Sequence, residues 1–285
     1  MRFLRNLGRS REIATVLLNH GFGDVVDRLG LRRYLKWGRL LMFRKPEEAP
    51  RRSRAERIRL ALEDLGATYI KFGQVMSTRP DLIPADVIDE LCKLQENVPA
   101  FASETAIRVI EKELGASVEA LFAEFDAEPL AAGSLAQVHR ARHHDGTLLA
   151  VKIRRPGVVK RVESDLALMT ELAVLIERHV PESEVFDPIG LVQHFTRTIR
   201  RELNFAREGR TIDEFARLFR NDATLYVPSV YWEHTTEAVL TMEFVEGIRV
   251  TDREAFARQN LCPREIAANG AHIFMKMAFE FGVFH

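Results

Sequence analysis

Lys152 sits in the run Ala150-Val151-Lys152-Ile153, an ammonium among apolar neighbours on a strand-like segment. Such a group must reach water or find a negative partner, because an unpaired buried charge is costly. Upstream, "PLAAGSLAQVH" contains a turn of small residues, Ala131-Ala132-Gly133-Ser134. A small-residue turn followed, after one hairpin, by a strand lysine is an arrangement suited to holding phosphates. The lysine then needs a carboxylate on the helix packed against it. "RRELNFAREGR" offers Glu202 and Glu208. On one helix, six residues at about 100° each place them about 240° apart, so they cannot both face the same lysine. Two cationic partners are expected. The plain alternatives are a lysine that snorkels to water and two solvated carboxylates on an amphipathic helix.

Positioning these groups requires a definite set of elements. The first 45 residues read as two short helices around His20–Gly23, and "KPEEAPRRSR" (45–54) as a Pro-bounded linker. Helical patterns follow at 54–65, 67–78, 85–95 and 103–114, the last closed by Gly115. The segment from Phe122 to Gly157 reads as three strands, with Asp145-Gly146 as the hairpin turn between the second and third. Long helices are expected over 158–179 and 188–219, strands in "TLYVPSVYWE" and "EAVLTMEFV", and a last helix over 263–281. The fold class is α+β: a five-stranded antiparallel sheet with a helix laid across it. "AVLTMEFVEGIRVTD" looks like a strand leading into a hinge, where the backbone from Glu243 to Val245 would receive an adenine and Gly247 would mark the exit from the sheet.

The chain has 285 residues, 46% of them hydrophobic, which is ample for a core. Its zero net charge hides an asymmetry. Residues 1–60 hold 16 basic and 6 acidic residues, an excess of +10; the remaining 25 basic and 35 acidic residues give −10. The basic arm interleaves Phe3, Leu4, Val16, Leu17, Leu18, Tyr34, Leu35, Trp37, Leu40, Leu41, Met42 and Phe43 with its cations. That pattern suits an anionic membrane surface; a solvated helix face is the alternative, and no nucleic-acid motif is present. Cys92 and Cys262 form no metal or disulfide pattern, which fits a reducing compartment. No transmembrane span and no secretory signal are expected.

On these motifs the chain resembles the UbiB (AarF) family of atypical protein-kinase-like proteins, associated with ubiquinone biosynthesis. The resemblance covers nearly all of 55–285. "KFGQ" (71–74) matches the family's K-x-G-Q element, and "AAGSLAQVH" (131–139) the alanine-rich loop that replaces a kinase glycine-rich loop. "AVKIRRPGV" carries the strand lysine, "ELNFAREG" (202–209) the Glu-x-Asp segment with its following Glu, and "LTMEFVEGIRVTD" the hinge. The resemblance implies a kinase-like N-lobe with a helical extension carrying K-x-G-Q. It implies that Lys71 and Gln74 project into the active site, with Gly73 letting their helix sit close. Glu208 is then assigned to Lys152 and Glu202 to Lys71, though the two could exchange roles.

Three departures matter. Asn204 stands where the family has Asp, which puts any metal-tuning role there in doubt. Gly133 stands where alanine is usual, so the loop has a wider backbone range. The sequence stops at "FEFGVFH", where the family's H-x-D-P-H-P-G-N catalytic loop opens, and no metal ligand is assigned within it.

The expected organisation is a basic membrane-surface arm and linker (1–53), the helical extension (54–115), a kinase-like N-lobe (116–245), and the hinge exit with the start of a C-lobe (246–285). The implied function is an atypical kinase or ATPase that binds ATP, with Mg in the full-length protein, and supports polyprenyl-quinone biosynthesis at the cytoplasmic side of a bacterial inner membrane. Lys152, Glu208, Lys71 and Glu202 would form the catalytic set. Ala131, Ala132, Gly133, Ser134, Gln74, Glu243 and Val245 would contact the nucleotide. Expected partners are an anionic membrane, a polyprenyl lipid and quinone-biosynthesis proteins. Without the catalytic loop, 1–285 should bind Mg-nucleotide poorly and not transfer phosphoryl groups. A homo-oligomer is expected through apolar residues near the end (Ile266, Ile273, Phe274, Met277, Phe281, Phe284). The alternative function is a non-catalytic membrane-associated scaffold for quinone-biosynthesis proteins.

Overall fold

The computed structural model describes residues 7–28, 30, 52–94, 99–179 and 187–284. Contacts group them into two compact units. Unit 1 takes 1–101, 131–137 and 154–203; unit 2 takes 102–130, 138–153 and 204–285.

In unit 1 the helices are α1 (Leu7–Asn19), α2 (Gly23–Arg28), α3 (Arg54–Leu65), α4 (Ala67–Ser77), α5 (Ala85–Leu91), α8 (Val158–His179) and α9 (Pro188–Glu202). Ser53 caps α3 by accepting from Glu56 N, and Asp187 caps α9 by accepting from Gly190 N. These side chains satisfy amides that a helix start leaves without partners. The core of unit 1 joins Ile13, Leu65, Tyr69, Val162, Leu166, Met169, Phe195 and Ile199. Val16, Leu17 and Leu18 pack against that core. The apolar side of α1 is thus partly covered by protein. Phe3, Leu4, Tyr34, Leu35, Trp37, Leu40, Leu41, Met42 and Phe43 lie outside the described residues.

One ion pair sits inside this core. Arg9 Nε meets Asp165 Oδ1 at 2.6 Å, and Arg9 Nη2 donates to Leu65 O at 2.6 Å. Thr68 Oγ1 donates to Asp165 Oδ2 at 2.7 Å, and Asp165 is 0% exposed.

Unit 2 carries α6 (Ser103–Leu114), α7 (Val118–Leu121), α10 (Phe205–Leu218), α11 (Arg253–Arg258) and α12 (Pro263–Met275). The sheet has five strands: β1 (Glu124–Phe125), β2 (Ala131–Ala132), β3 (Ala136–Arg142), β4 (Leu148–Arg154) and β5 (Val239–Glu243). Their order is β1-β3-β4-β5, with β2 also paired to β3. The β4–β5 ladder is antiparallel and sets Lys152 opposite Leu240. The hairpin at Asp145-Gly146 closes with His143 N donating to Thr147 O at 2.8 Å.

Three sequence expectations give way here. "TLYVPSVYWE" is not a strand; it touches β5 by a single bridge, Val230 to Met242, then turns into a 3-10 helix, Trp232–His234. Pro228 has no N–H for a ladder. The expected helix over 188–219 is two helices, α9 and α10, separated at Leu203-Asn204. The last helix ends at Met275 and continues as a π-helical turn, Lys276–Phe281. Lys276 Nζ anchors that turn to Asp222 at 2.9 Å. Among the described residues no helix is long and apolar enough to cross a membrane.

Candidate functional site

β4 alternates around Lys152. Val151 and Ile153 are 0% exposed on one face, while Lys152 shares the other with Ala150 and the opposing Leu240. Helix α10 covers that second face. It can lie close because Gly209 has no side chain: a Cβ there would come 3.1 Å from Trp232 Cη2 and 3.4 Å from Leu240 Cδ1. Asn204 starts α10, accepting from Arg207 N at 3.1 Å and donating through Nδ2 to Glu237 Oε1 at 2.9 Å. The residue that departs from the Glu-x-Asp pattern is therefore a helix cap.

With α10 so placed, Glu208 in its first turn reaches the strand lysine. Lys152 Nζ donates to both carboxylate oxygens of Glu208 at 2.8 Å. The ammonium also stands 4.8 Å above the Phe205 ring. Both partners keep roughly a quarter to a third of their side-chain surface in water (26% and 31%), so a ligand phosphate can reach the ammonium without unfolding the pair.

The second pair belongs to unit 1. Lys71 Nζ on α4 lies 3.2 Å from Glu202 Oε2 at the end of α9. The 240° argument that separated the glutamates does not apply, because they stand on different helices; the break at Leu203-Asn204 separates them. Gly73 also has a different neighbourhood from the one expected. A Cβ there would meet Leu94 Cδ1 at 2.4 Å, Leu62 Cδ1 at 2.9 Å and Leu91 Cδ2 at 3.4 Å. Its close approach is to leucines of the helical layer itself. Gln74 donates through Nε2 to Leu94 O at 3.2 Å, which ties α4 to the same leucines. Gly73→Val is expected to destabilise the protein by about 2 kcal/mol through overpacking, measured by urea denaturation; a loss below about 0.5 kcal/mol would show that the leucines yield freely.

The small-residue loop begins as β2. Gly133 N donates to Ala136 O at 2.8 Å, and Gly133 O accepts from Arg155 Nη2 at 3.1 Å. Gly133 does not use a left-handed backbone, so its freedom is not spent on the fold of this loop. Ser134 is 1% exposed and its Oγ has no hydrogen-bond partner. It faces a cavity of about 780 Å³ within unit 1, whose wall includes Lys93, Arg155 and Arg161 beside the start of α8. Burial holds the Arg155 guanidinium below its ordinary value. At the end of β5, Glu243 N donates to Ser229 O, and its carboxylate accepts from Tyr226 Oη at 2.5 Å, which raises the phenol above its usual value. Val245 beyond it is exposed. Residues missed by sequence reasoning are Phe205, Gly209 and Arg154, whose Nη1 donates to Leu203 O at 2.7 Å. The "N-F" after Glu202 was their available signal, an Asn cap before an aromatic residue.

Comparison with known proteins gives this geometry a family. Residues 93–285 match the ABC1 atypical kinase-like domain. The chain belongs to the ABC1 atypical kinase-like family. Relatives in the ABC1 family include proteins named "Probable protein kinase UbiB". The one from Cellvibrio japonicus is 44% identical over 236 residues, covering 83% of this chain and 43% of the relative. That from Aeromonas salmonicida is 41% identical over 282 residues, covering 97% and 51%, and that from Xylella fastidiosa 36%, covering 99% and 51%. The chain thus spans about half the length of the relatives it matches. A solved structure, the complex of Rv3197 and erythromycin from Mycobacterium tuberculosis, aligns with TM-score 0.49 at 26% identity, covering 67% of this chain and 48% of that one. The five-stranded antiparallel sheet with its flanking helices is the kinase-like fold of the ABC1 family.

Proposed function

We propose that this protein is a UbiB-type atypical kinase or ATPase whose Lys152, held by Glu208, binds the phosphates of ATP. The observation that carries the reading is the two-oxygen clasp of Lys152 by Glu208 in a chain of the ABC1 family. A lysine fixed in this way presents its charge at one point, and phosphoryl transfer relies mainly on positioning and charge stabilisation. The loop Ala131, Ala132, Gly133 and Ser134 is proposed as a phosphate-binding loop on the family pattern, and the buried Ser134 Oγ without a partner suits a phosphate oxygen. Gln74, the Lys71–Glu202 pair and the backbone from Glu243 to Val245 are proposed on the family pattern alone.

Magnesium would supply charge neutralisation on the phosphates. The wider reading is support of polyprenyl-quinone biosynthesis, with an anionic membrane surface and quinone-biosynthesis proteins as partners.

A titration with a fluorescent ATP analogue in the presence of magnesium tests the nucleotide reading. A charge-assisted contact to phosphate contributes about 1.5–3 kcal/mol, so Lys152→Met is expected to weaken binding about 10- to 100-fold. Equal binding by wild type and Lys152→Met would overturn the assignment. A folded wild type with no measurable binding would favour a non-catalytic scaffold.

A further inference from the structure

Three side chains of unit 2 take no part in the lysine–carboxylate pairs: His143, Glu233 and His234. His143 opens the β3–β4 turn, and the other two belong to the 3-10 helix before β5, about ninety residues later in sequence. One ligand atom from each lies within 4.8 Å of the others.

The backbones that carry these atoms are fixed. Gly146 N donates to His143 O at 2.9 Å, and Thr147 N donates to Asp145 Oδ1 at 2.9 Å. Buried Thr241 on β5 donates through Oγ1 to His234 O at 2.8 Å. The rings are held as well. His234 meets Phe122 edge-on at 5.4 Å between centroids, and His143 lies 5.6 Å from Tyr231 and 5.8 Å from His234. His144 is turned away, 3.2 Å from Ala120 O.

One polar atom of the cluster lacks the partner that would explain it as a packing feature. His234 Nδ1 is buried and makes no hydrogen bond. Buried imidazole nitrogens are ordinarily satisfied. Asp145 Oδ1 stands 3.1 Å from His143 Nδ1. A carboxylate beside a ligand imidazole is the usual outer partner in metal sites, where it orients the ring.

We propose that His143, His234 and Glu233 form a binding site for a divalent transition-metal ion, zinc being the ion best matched to two imidazoles and one carboxylate. Zinc takes N and O ligands at about 2.0–2.2 Å in tetrahedral geometry. Rotation of the exposed Glu233 side chain would bring the third ligand atom toward the two imidazoles and leave the fourth position to water. The ion would clip the hairpin turn to the 3-10 helix. The site is independent of the nucleotide reading.

Zinc added to chelator-treated, tag-free protein, in competition with a chromophoric zinc indicator, tests the proposal. Wild type is expected to take up one zinc per chain, and its melting temperature to rise with zinc. His143→Ala and His234→Ala should each lose at least about tenfold in zinc affinity, with no zinc-dependent rise in melting temperature. Glu233→Gln, at an exposed position, should also weaken binding severalfold. Cobalt(II) in wild type should give the strong visible absorption of a tetrahedral site. Absence of stoichiometric zinc binding to wild type overturns the proposal. So does zinc affinity unchanged in Glu233→Gln, a comparison that holds even if a histidine variant fails to fold.

Discussion

Replacing Asp165 by alanine is expected to destabilise the protein by about 3–5 kcal/mol, the range for removing one partner of a buried ion pair. Side-chain exposure is 1% for Asp165 and 11% for Arg9. The carboxylate takes Arg9 Nε at 2.6 Å and Thr68 Oγ1 at 2.7 Å, so its loss leaves both donors without this acceptor in the core of unit 1, with Arg9 keeping only Glu12 and Leu65 O. The large effect comes from the group left behind, not from the net strength of the pair. The double variant Arg9→Met with Asp165→Leu should therefore recover most of the loss. Urea denaturation of the three proteins measures this. A single variant within about 1 kcal/mol of wild type would show that water reaches Arg9 and satisfies it.

Phe195→Ala should be of similar size, about 3–5 kcal/mol, the range for a large aromatic side chain removed from a core. Phe195 on α9 is 0% exposed and meets Phe72 on α4 edge to face, with centroids 5.2 Å apart and planes at 80°. Phe72 follows Lys71, and Glu202 ends the helix that carries Phe195. The aromatic contact joins the same two helices that carry Lys71 and Glu202, and the ion pair itself, partly exposed, contributes at most about 1 kcal/mol. Hydrogen exchange should report faster opening of α4 amides in the variant, alongside the fall in denaturation midpoint. Unchanged α4 exchange would mean that the helix is held chiefly by its leucine contacts.

Local rules made much of this legible before any coordinates. Periodicity and caps place α3, α4, α6 and α8 within a residue or so, and Asp145-Gly146 places the β3–β4 turn. Helix geometry required only that Glu202 and Glu208 serve different cations; the assignment of Glu208 to Lys152 came from the family resemblance. The break at Asn204 was harder, because one Asn between helix-forming stretches reads as tolerable inside a long helix until Glu237 is seen to bind it. The segment 224–233 has strand composition, yet its pairing depends on what β5 offers. Asp165 was invisible as a core residue: a carboxylate on a helix reads as solvated, and its partner lies in α1. Unit 1 is assembled from three separate stretches of chain, which no linear reading conveys.

The separation of Arg9 from Asp165, 156 residues, has a consequence for synthesis. At about 5–20 residues per second, α1 emerges roughly 8–31 s before α8 can receive it. Through that interval Ile13, Ala14, Val16 and Leu17 have α2 and α3 beside them but not the α8 part of their core, and arginines flank them on the nascent chain. A short apolar stripe among cations is what chaperones and anionic bilayers both retain. The affinity of this arm for such surfaces is therefore expected to be greatest on the ribosome and to fall when α8 arrives, so that completion of unit 1 itself acts as the release step.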